Sequence, residues 1–412
     1  MHPFFHTRTL RRLSAAAILT AVTAVGWPAG AQTPAPVKAV AAGTDGVSLP
    51  LDNFLSRLGT ALRQPGGSAR APQPLRAVVT AESRSGVRRL RIRDFQVLSD
   101  SERTIAGYNL GAGSWDTEIG VLGSAVATEF LFQAAQQGLS LDSVDVVFTS
   151  HQDPPGTAQP AGRVAYPRNL AYTAYIQSSA SDAQLQTLKE AVDRTSPVLN
   201  FVKTAQDIPH GKVVHTPSAA TPPAGTVPGL RDFLVEKRAA LLKRQEGDAS
   251  AARSAPPLRA HVRVEGGTGL RHIRTGSSNF QLINDCSREL GGFDLGPSVE
   301  EHQLGVMGTC LTHIFEIQSA LRQVVLDGLE ITVEGTLTPR GPDATAPPRL
   351  TNVHYTVHIT SPASAQEIDA LRQAVESVCP IYNLLKDPQT ITGKIVRERY
   401  EAPAVSATAS RR

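Results

Sequence analysis

Cysteine is scarce: Cys286, Cys310 and Cys379 are the only three in 412 residues. Three thiols exclude a disulfide scaffold, and an odd number allows at most one internal bridge with one thiol left over. Aromatic residues make up 5% of the chain and lysine and arginine form no stripe, so no nucleic-acid partner is expected. Beyond residue 31 there is no apolar run long enough to cross a bilayer, so no membrane span is expected. Cys310 and His313 form a Cys-x-x-His on one helical face, but two ligands do not complete a zinc site. No metal or cofactor is therefore expected. His302, His354 and His358 read as surface or strand histidines rather than as a cluster.

The first 31 residues have the pattern of a cleavable export signal. Arg8, Arg11 and Arg12 precede the apolar stretch SAAAILTAVTAVGW, and Ala29-Gly30-Ala31 fits a small-residue cleavage site, with cleavage after Ala31. A periplasmic or secreted location is the expectation. Setting those three arginines aside lowers the formal charge from +4 to +1, so the apparent basicity belongs largely to the leader.

What the chain does contain is an internal repeat. LRAVVTAESRSGVRR from Leu75 matches LRAHVRVEGGTGLRH from Leu258, FQVLSD from Phe95 matches FQLIND from Phe280, and GVLGSAVATEF from Gly120 matches GVMGTCLTHIF from Gly305. LDNFL at 51–55 matches LRDFL at 230–234, and DRTSPVLNFVK at 193–203 matches ESVCPIYNLLK at 376–386. The register drifts only by small compensating indels. Only the second copy keeps its thiols, because Ala125 stands at the position of Cys310 and Ser196 at that of Cys379.

Composition divides the chain into a signal at 1–31, a linker at 32–48, a cysteine-free domain at 49–203, a Pro/Thr-rich linker at 204–229, a thiol-bearing domain at 230–400 and a tail at 401–412. In the second copy, 230–245 reads as helix and 258–285 as two or three short strands joined at GGTG and GSS. Residues 298–325 read as a long apolar helix entered at Gly296-Pro297-Ser298. Two alternating strands flank the loop 338–349, a helix spans Ala363 to Val378, Cys379-Pro380 marks a helix end or restart, and TITGKIVRER is a last strand. Two such units make an α+β protein.

GPSVEEHQLGVMGTC at 296–310, followed by a helix, two strands and VESVCPIYNLL, resembles the osmotically inducible protein C / organic hydroperoxide resistance (OsmC/Ohr) family. The resemblance covers 258–398 well and 75–203 more weakly. It implies two fused OsmC-like domains forming an intramolecular pseudo-dimer, long central helices wrapped by antiparallel-rich sheets, and either a monomer or a further homo-oligomer. It also implies a thiol-dependent peroxidase acting on organic hydroperoxides, with Cys310 as the peroxidatic and Cys379 as the resolving thiol, supplied by an unidentified thiol reductant. The family's arginine on an early strand has no counterpart at Gly266-Gly267-Thr268-Gly269; Arg84 of the first copy falls within one residue of it. That assigns the thiol-activating cation to Arg84 across the halves, with Arg271 and Arg274 as fallbacks. Otherwise Arg84 is an exposed turn arginine. The family's glutamate near the start of the long helix corresponds to Glu300, about 15 Å from Cys310 if the helix is continuous. Either the helix breaks at Gly305–Gly308 or the other half supplies the carboxylate, where Trp115 aligns with Glu300 and Asp116 with Glu301. The competing reading is a non-catalytic binding or structural protein with a static Cys310–Cys379 disulfide. Cys286 has no family counterpart.

Overall fold

The computed structural model describes residues 50–64, 71–151, 164–248, 257–276, 278–339 and 347–402. The expected export signal at 1–31, the expected linker at 32–48 and all but the first two residues of the expected tail lie outside them. Residues from Ser48 onward form one compact unit.

The chain runs through α1 (Asp52–Arg63), β1 (Gln73–Ala81), β2 (Arg88–Ile92), β3 (Phe95–Ser99), α2 (Ser114–Gln137), β4 (Ser143–His151), β5 (Arg168–Gln177), α3 (Asp182–Thr195), α4 (Pro197–Lys203) and β6 (Lys212–Pro217). It continues through α5 (Leu230–Asp248), β7 (Leu258–Val264), β8 (Arg271–Thr275), β9 (Phe280–Asn284), α6 (Val299–Arg322), β10 (Gly328–Leu337), β11 (Leu350–Ser361), α7 (Ala365–Val378), α8 (Pro380–Lys386) and β12 (Ile391–Val396). A single 3₁₀ turn follows β3 and another follows β9. The second series repeats the order of the first element for element, in a mixed α+β architecture.

Neither sheet belongs to one series. One has the order β3-β2-β1-β10-β11-β6 and the other β12-β5-β4-β7-β8-β9. Antiparallel seams join the series at β1–β10, from Gln73 opposite Leu337 to Thr80 opposite Glu330, and at β4–β7, from Asp145 opposite Arg263 to Ser150 opposite Leu258. The outer pairs β11–β6 and β12–β5 are parallel. β6 corrects the sequence reading, which placed all of 204–229 in a linker. The short alternation Lys212-Val213-Val214-His215 is half-buried at a sheet edge, and its Pro-rich surroundings mask the signal.

The two 24-residue helices α2 and α6 pack against each other and are covered by the sheets. Both are buried nearly all round, which is why neither has a polar stripe. α6 starts where Ser298 accepts from the Glu301 N–H and the Glu301 carboxylate accepts from the Ser298 N–H, a reciprocal cap. Arg93, at the tip of the β2–β3 hairpin, bonds the same Glu301 at 2.7 Å and Asp294 at 2.8 Å. The helix does not break at its glycines. A Cβ on Gly305 would lie 2.6 Å from Leu90 and one on Gly308 2.8 Å from Val79, so glycine lets the sheet approach.

Where the long helices cross, Gln303 of α6 donates to Glu118 of α2 at 2.8 Å. These two residues occupy corresponding positions in the repeat. Both are fully buried, and burial pushes the Glu118 carboxyl up to about 7 despite the hydrogen bond from Gln303. His302, which the sequence reading placed at the surface or in a strand, is fully buried in α6 and accepts from Asn284 at 3.1 Å. Burial lowers its imidazole to about 4, so it is neutral.

Candidate active site

Cys310 lies midway along α6, where that helix packs against α7 and α8. Cys379 is the residue between α7 and α8. Its backbone is extended (φ −68°, ψ 117°), as expected before proline, and Pro380 opens α8 at the position where a missing N–H is harmless. The two sulfurs are 3.4 Å apart, both unoxidised, with the side chains 1% and 0% exposed. A disulfide needs about 2.05 Å, so a small movement closes the pair. Burial, together with the adjoining Cys310 thiol, pushes Cys379 well up, against the N–H groups of Ile381 and Tyr382 that favour a thiolate.

One turn beyond Cys310, α6 carries His313 and then Glu316 into a buried polar cluster. Arg88 of β2 reaches His313 Nδ1 at 3.3 Å, Ser101 Oγ at 3.2 Å and Glu316 at 3.5 Å. Lys237 of α5 donates to Glu316 at 2.7 Å. Burial alone would raise Glu316, but Lys237, His313 and Arg88 outweigh it and hold it down to about 2. Burial and the charge on Arg88 push His313 down to about 3, so it is a neutral imidazole beside the cations. Lys237 is lowered by burial, with Glu316 opposing.

The structure places the expected residues unevenly. It brings Cys310 and Cys379 together. Arg84 lies on the exposed turn after β1 and makes no side-chain hydrogen bond or ion pair among the described residues. The buried cation of this half is Arg88, four residues on, which the alternation of β2 reveals: Arg88, Leu90 and Ile92 share the inward face. Glu300 is not at the thiol pair either, because α6 is unbroken between residues 300 and 310. It lines a different cleft.

That cleft, of about 500 Å³, occupies the positions corresponding to the thiol site in the other half, with Ala125 and Ser196 in its wall. Arg271, the counterpart of Arg88, is buried there and donates to Gly269 O at 2.9 Å and to Cys286 Sγ at 3.4 Å. Cys286 stands where the first half has Ser101. Burial pushes its thiol up, with Arg271 opposing. The fallback Arg274 is exposed on β8, and Asp116, in the first turn of α2, is raised to about 6 by burial and by the charge of Glu102. Among the described residues no group of three His, Cys, Asp or Glu could hold a metal ion, and no helix is long and apolar enough to cross a membrane.

Residues 292–394 match the model of the OsmC-like protein family. Among solved structures the chain is similar to an OsmC-like protein from Mycoplasma pneumoniae, at 14% identity and a TM-score of 0.26, over 30% of this chain and 83% of that one. It is also similar to a structure described as an osmotic stress induced and detoxification response protein from Psychrobacter arcticus 273-4, at 16% identity and a TM-score of 0.25, over 31% and 86% of the two chains. No curated protein matches the sequence. Residues 292–394, which hold Cys310 and Cys379, are an OsmC-like domain.

Proposed function

We propose that this chain is a thiol-dependent peroxidase reducing organic hydroperoxides, built as two OsmC-like copies that form a pseudo-dimer within one polypeptide. The repeated element order and the reciprocal sheet seams support the two-copy reading. The observation that carries the chemistry is the 3.4 Å separation of two thiols in the OsmC-like domain. The Cys310 thiolate attacks the O–O bond, taking one oxygen as sulfenic acid, while the other leaves as alkoxide and is protonated to the alcohol. Cys379 then condenses with the sulfenic acid, releasing water and forming the disulfide, and an external dithiol restores both thiols. The cation role expected of Arg84 passes to Arg88 as a positioning residue acting through His313, and Glu300 has no part in it. An exported location follows from the leader at 1–31, and the reductant is then an extracytoplasmic dithiol.

Burial of both sulfurs favours a second reading, a binding or structural protein with a static disulfide. One experiment separates them: dithiothreitol-dependent reduction of cumene hydroperoxide by the wild type, Cys310→Ser and Cys379→Ser. The peroxidase reading requires background rates in Cys310→Ser, and in Cys379→Ser a Cys310 sulfenic acid that dimedone traps when the dithiol is left out. Identical background rates in all three proteins would eliminate it.

A further inference from the structure

The two sheets present corresponding outer faces of opposite character. On the sheet containing β1 and β10, every arginine of this face has an acidic partner. Arg91 bonds Glu330 at 3.1 Å, Arg76 lies 3.8 Å from Glu334, and Arg89 bonds Glu82 at 2.8 Å. On the other sheet the balance is lost. Arg263 stands in place of Thr80, His261 in place of Val78, and Thr149 in place of Glu334. The acid corresponding to Glu330 is Asp145, and it is committed to His261 at 2.7 Å. The exposed side chains of Arg263 and Arg274 are left without a hydrogen bond or ion pair among the described residues. Across β7–β8 each faces a histidine, Arg263 opposite His272 and Arg274 opposite His261, and across the β4–β7 seam Arg263 lies opposite Asp145, whose bond goes to His261 instead. An exposed arginine without an acidic partner gains nothing from ion pairing, so fold stability alone gives no reason to place two of them on one face.

This face lines a groove of about 1040 Å³. His261 is stacked on Tyr400 at 4.0 Å, and Arg399 beside it bonds Gln177 at 2.9 Å. The groove also has an apolar part. Leu98, Leu110 and Leu295 are 43%, 59% and 53% exposed and line the same groove, as do Phe95 and Phe280. The acids on the wall are Asp145, already paired, and Asp142. Unpaired guanidinium groups and exposed leucines line one groove, and its volume is at or slightly above the upper end of small-ligand sites.

We propose that this groove binds an anionic amphiphile: a single carboxylate, sulfate or phosphate headgroup held by Arg263 and Arg274, with an acyl-type chain lying against Leu98, Leu110 and Leu295. The site is separate from the thiol pair and does not depend on the peroxidase reading. Guanidinium donors suit a planar or tetrahedral oxyanion, and the leucines suit a chain that water expels. Free amphiphile and membrane lipid carry the same chemistry, so the test must separate them.

The test is calorimetric titration of the full chain with laurate below its micellar concentration. Dodecanol supplies the chain without the charge, and acetate the charge without the chain. Laurate is expected to bind more tightly than either. Arg263→Ala/Arg274→Ala should weaken laurate by at least about tenfold, whereas Arg76→Ala/Arg91→Ala on the other sheet should leave it unchanged. Leu110→Asp should weaken laurate through the apolar wall. Sedimentation with phosphatidylglycerol vesicles identifies the source. Laurate binding with vesicle capture points to a lipid, and laurate binding without capture to a free amphiphile. No laurate binding, equal binding by wild type and the Arg263/Arg274 variant, acetate binding as tight as laurate, or vesicle capture without laurate binding would each overturn the proposal.

Discussion

Glu118→Gln should make the protein more stable above neutral pH and abolish a pH dependence centred on the helix crossing. Glu118 Oε1 and Gln303 Oε1 are both buried acceptors without a donor, beside the 2.8 Å bond between the two side chains. A proton on Glu118 turns one of those acceptors into a donor. Its carboxyl is accordingly raised from 4.5 to about 7. A raised carboxyl binds its proton more tightly when folded, so its contribution is complete below pH 4.5 and is lost as pH rises to about 7. At about 1.36 kcal/mol per pH unit the loss is about 3 kcal/mol. Glutamine has both a donor and an acceptor at every pH, so the variant avoids it. Urea unfolding followed by circular dichroism at several values between about pH 4 and pH 8 gives the difference between wild type and variant. It should be near zero or favour wild type at the acid end, and move in favour of the variant by about 3 kcal/mol at the alkaline end. Parallel stability curves, or a variant less stable than wild type at pH 8, would refute the argument. Asp116, also raised by burial, titrates in both proteins and cancels in the difference.

Glu316→Gln leaves Lys237 and Arg88 as buried cations with their shared carboxylate gone, at a cost of about 3–5 kcal/mol in urea unfolding. Arg91→Ala removes a half-exposed pair and should cost under about 1 kcal/mol in the same assay. Gly393→Ala would put a Cβ 2.1 Å from the Tyr172 ring and push β12 off β5, a loss of about 1–3 kcal/mol seen as a lowered Tm. Mild oxidation should yield one cross-linked peptide joining Cys310 to Cys379, with Cys286 alkylatable after denaturation; a mass spectrum with Cys286 in the bridge contradicts the 3.4 Å geometry.

The elements of the second half were largely legible in the sequence. Alternation reveals β7, β10 and β11, and Ser298 announces the start of α6 through its cap to Glu301. The thiol pair was legible as a motif. Arg84 was not the buried cation because proximity in an aligned turn says nothing about which way a strand faces, whereas the inward alternation of Arg88 with Leu90 and Ile92 does. β6 was lost because an edge strand buries too little to overcome its proline-rich flanks. The β1–β10 and β4–β7 seams join segments far apart in sequence, so no local pattern encodes them. The cleft holding Cys286 and Arg271 is lined by residues of both copies, Ala125 and Ser196 among them, and it was invisible for the same reason.

The seams also set a timetable for folding. When the ribosome has completed β6, β1 still lacks β10 and β4 still lacks β7. The first half therefore keeps its inward-facing Val79, Leu90 and Val146 without their full cover until the second half is present, a state open to aggregation. Cut between residues 217 and 230, the two pieces should each remain unfolded alone and assemble into the native form only when mixed.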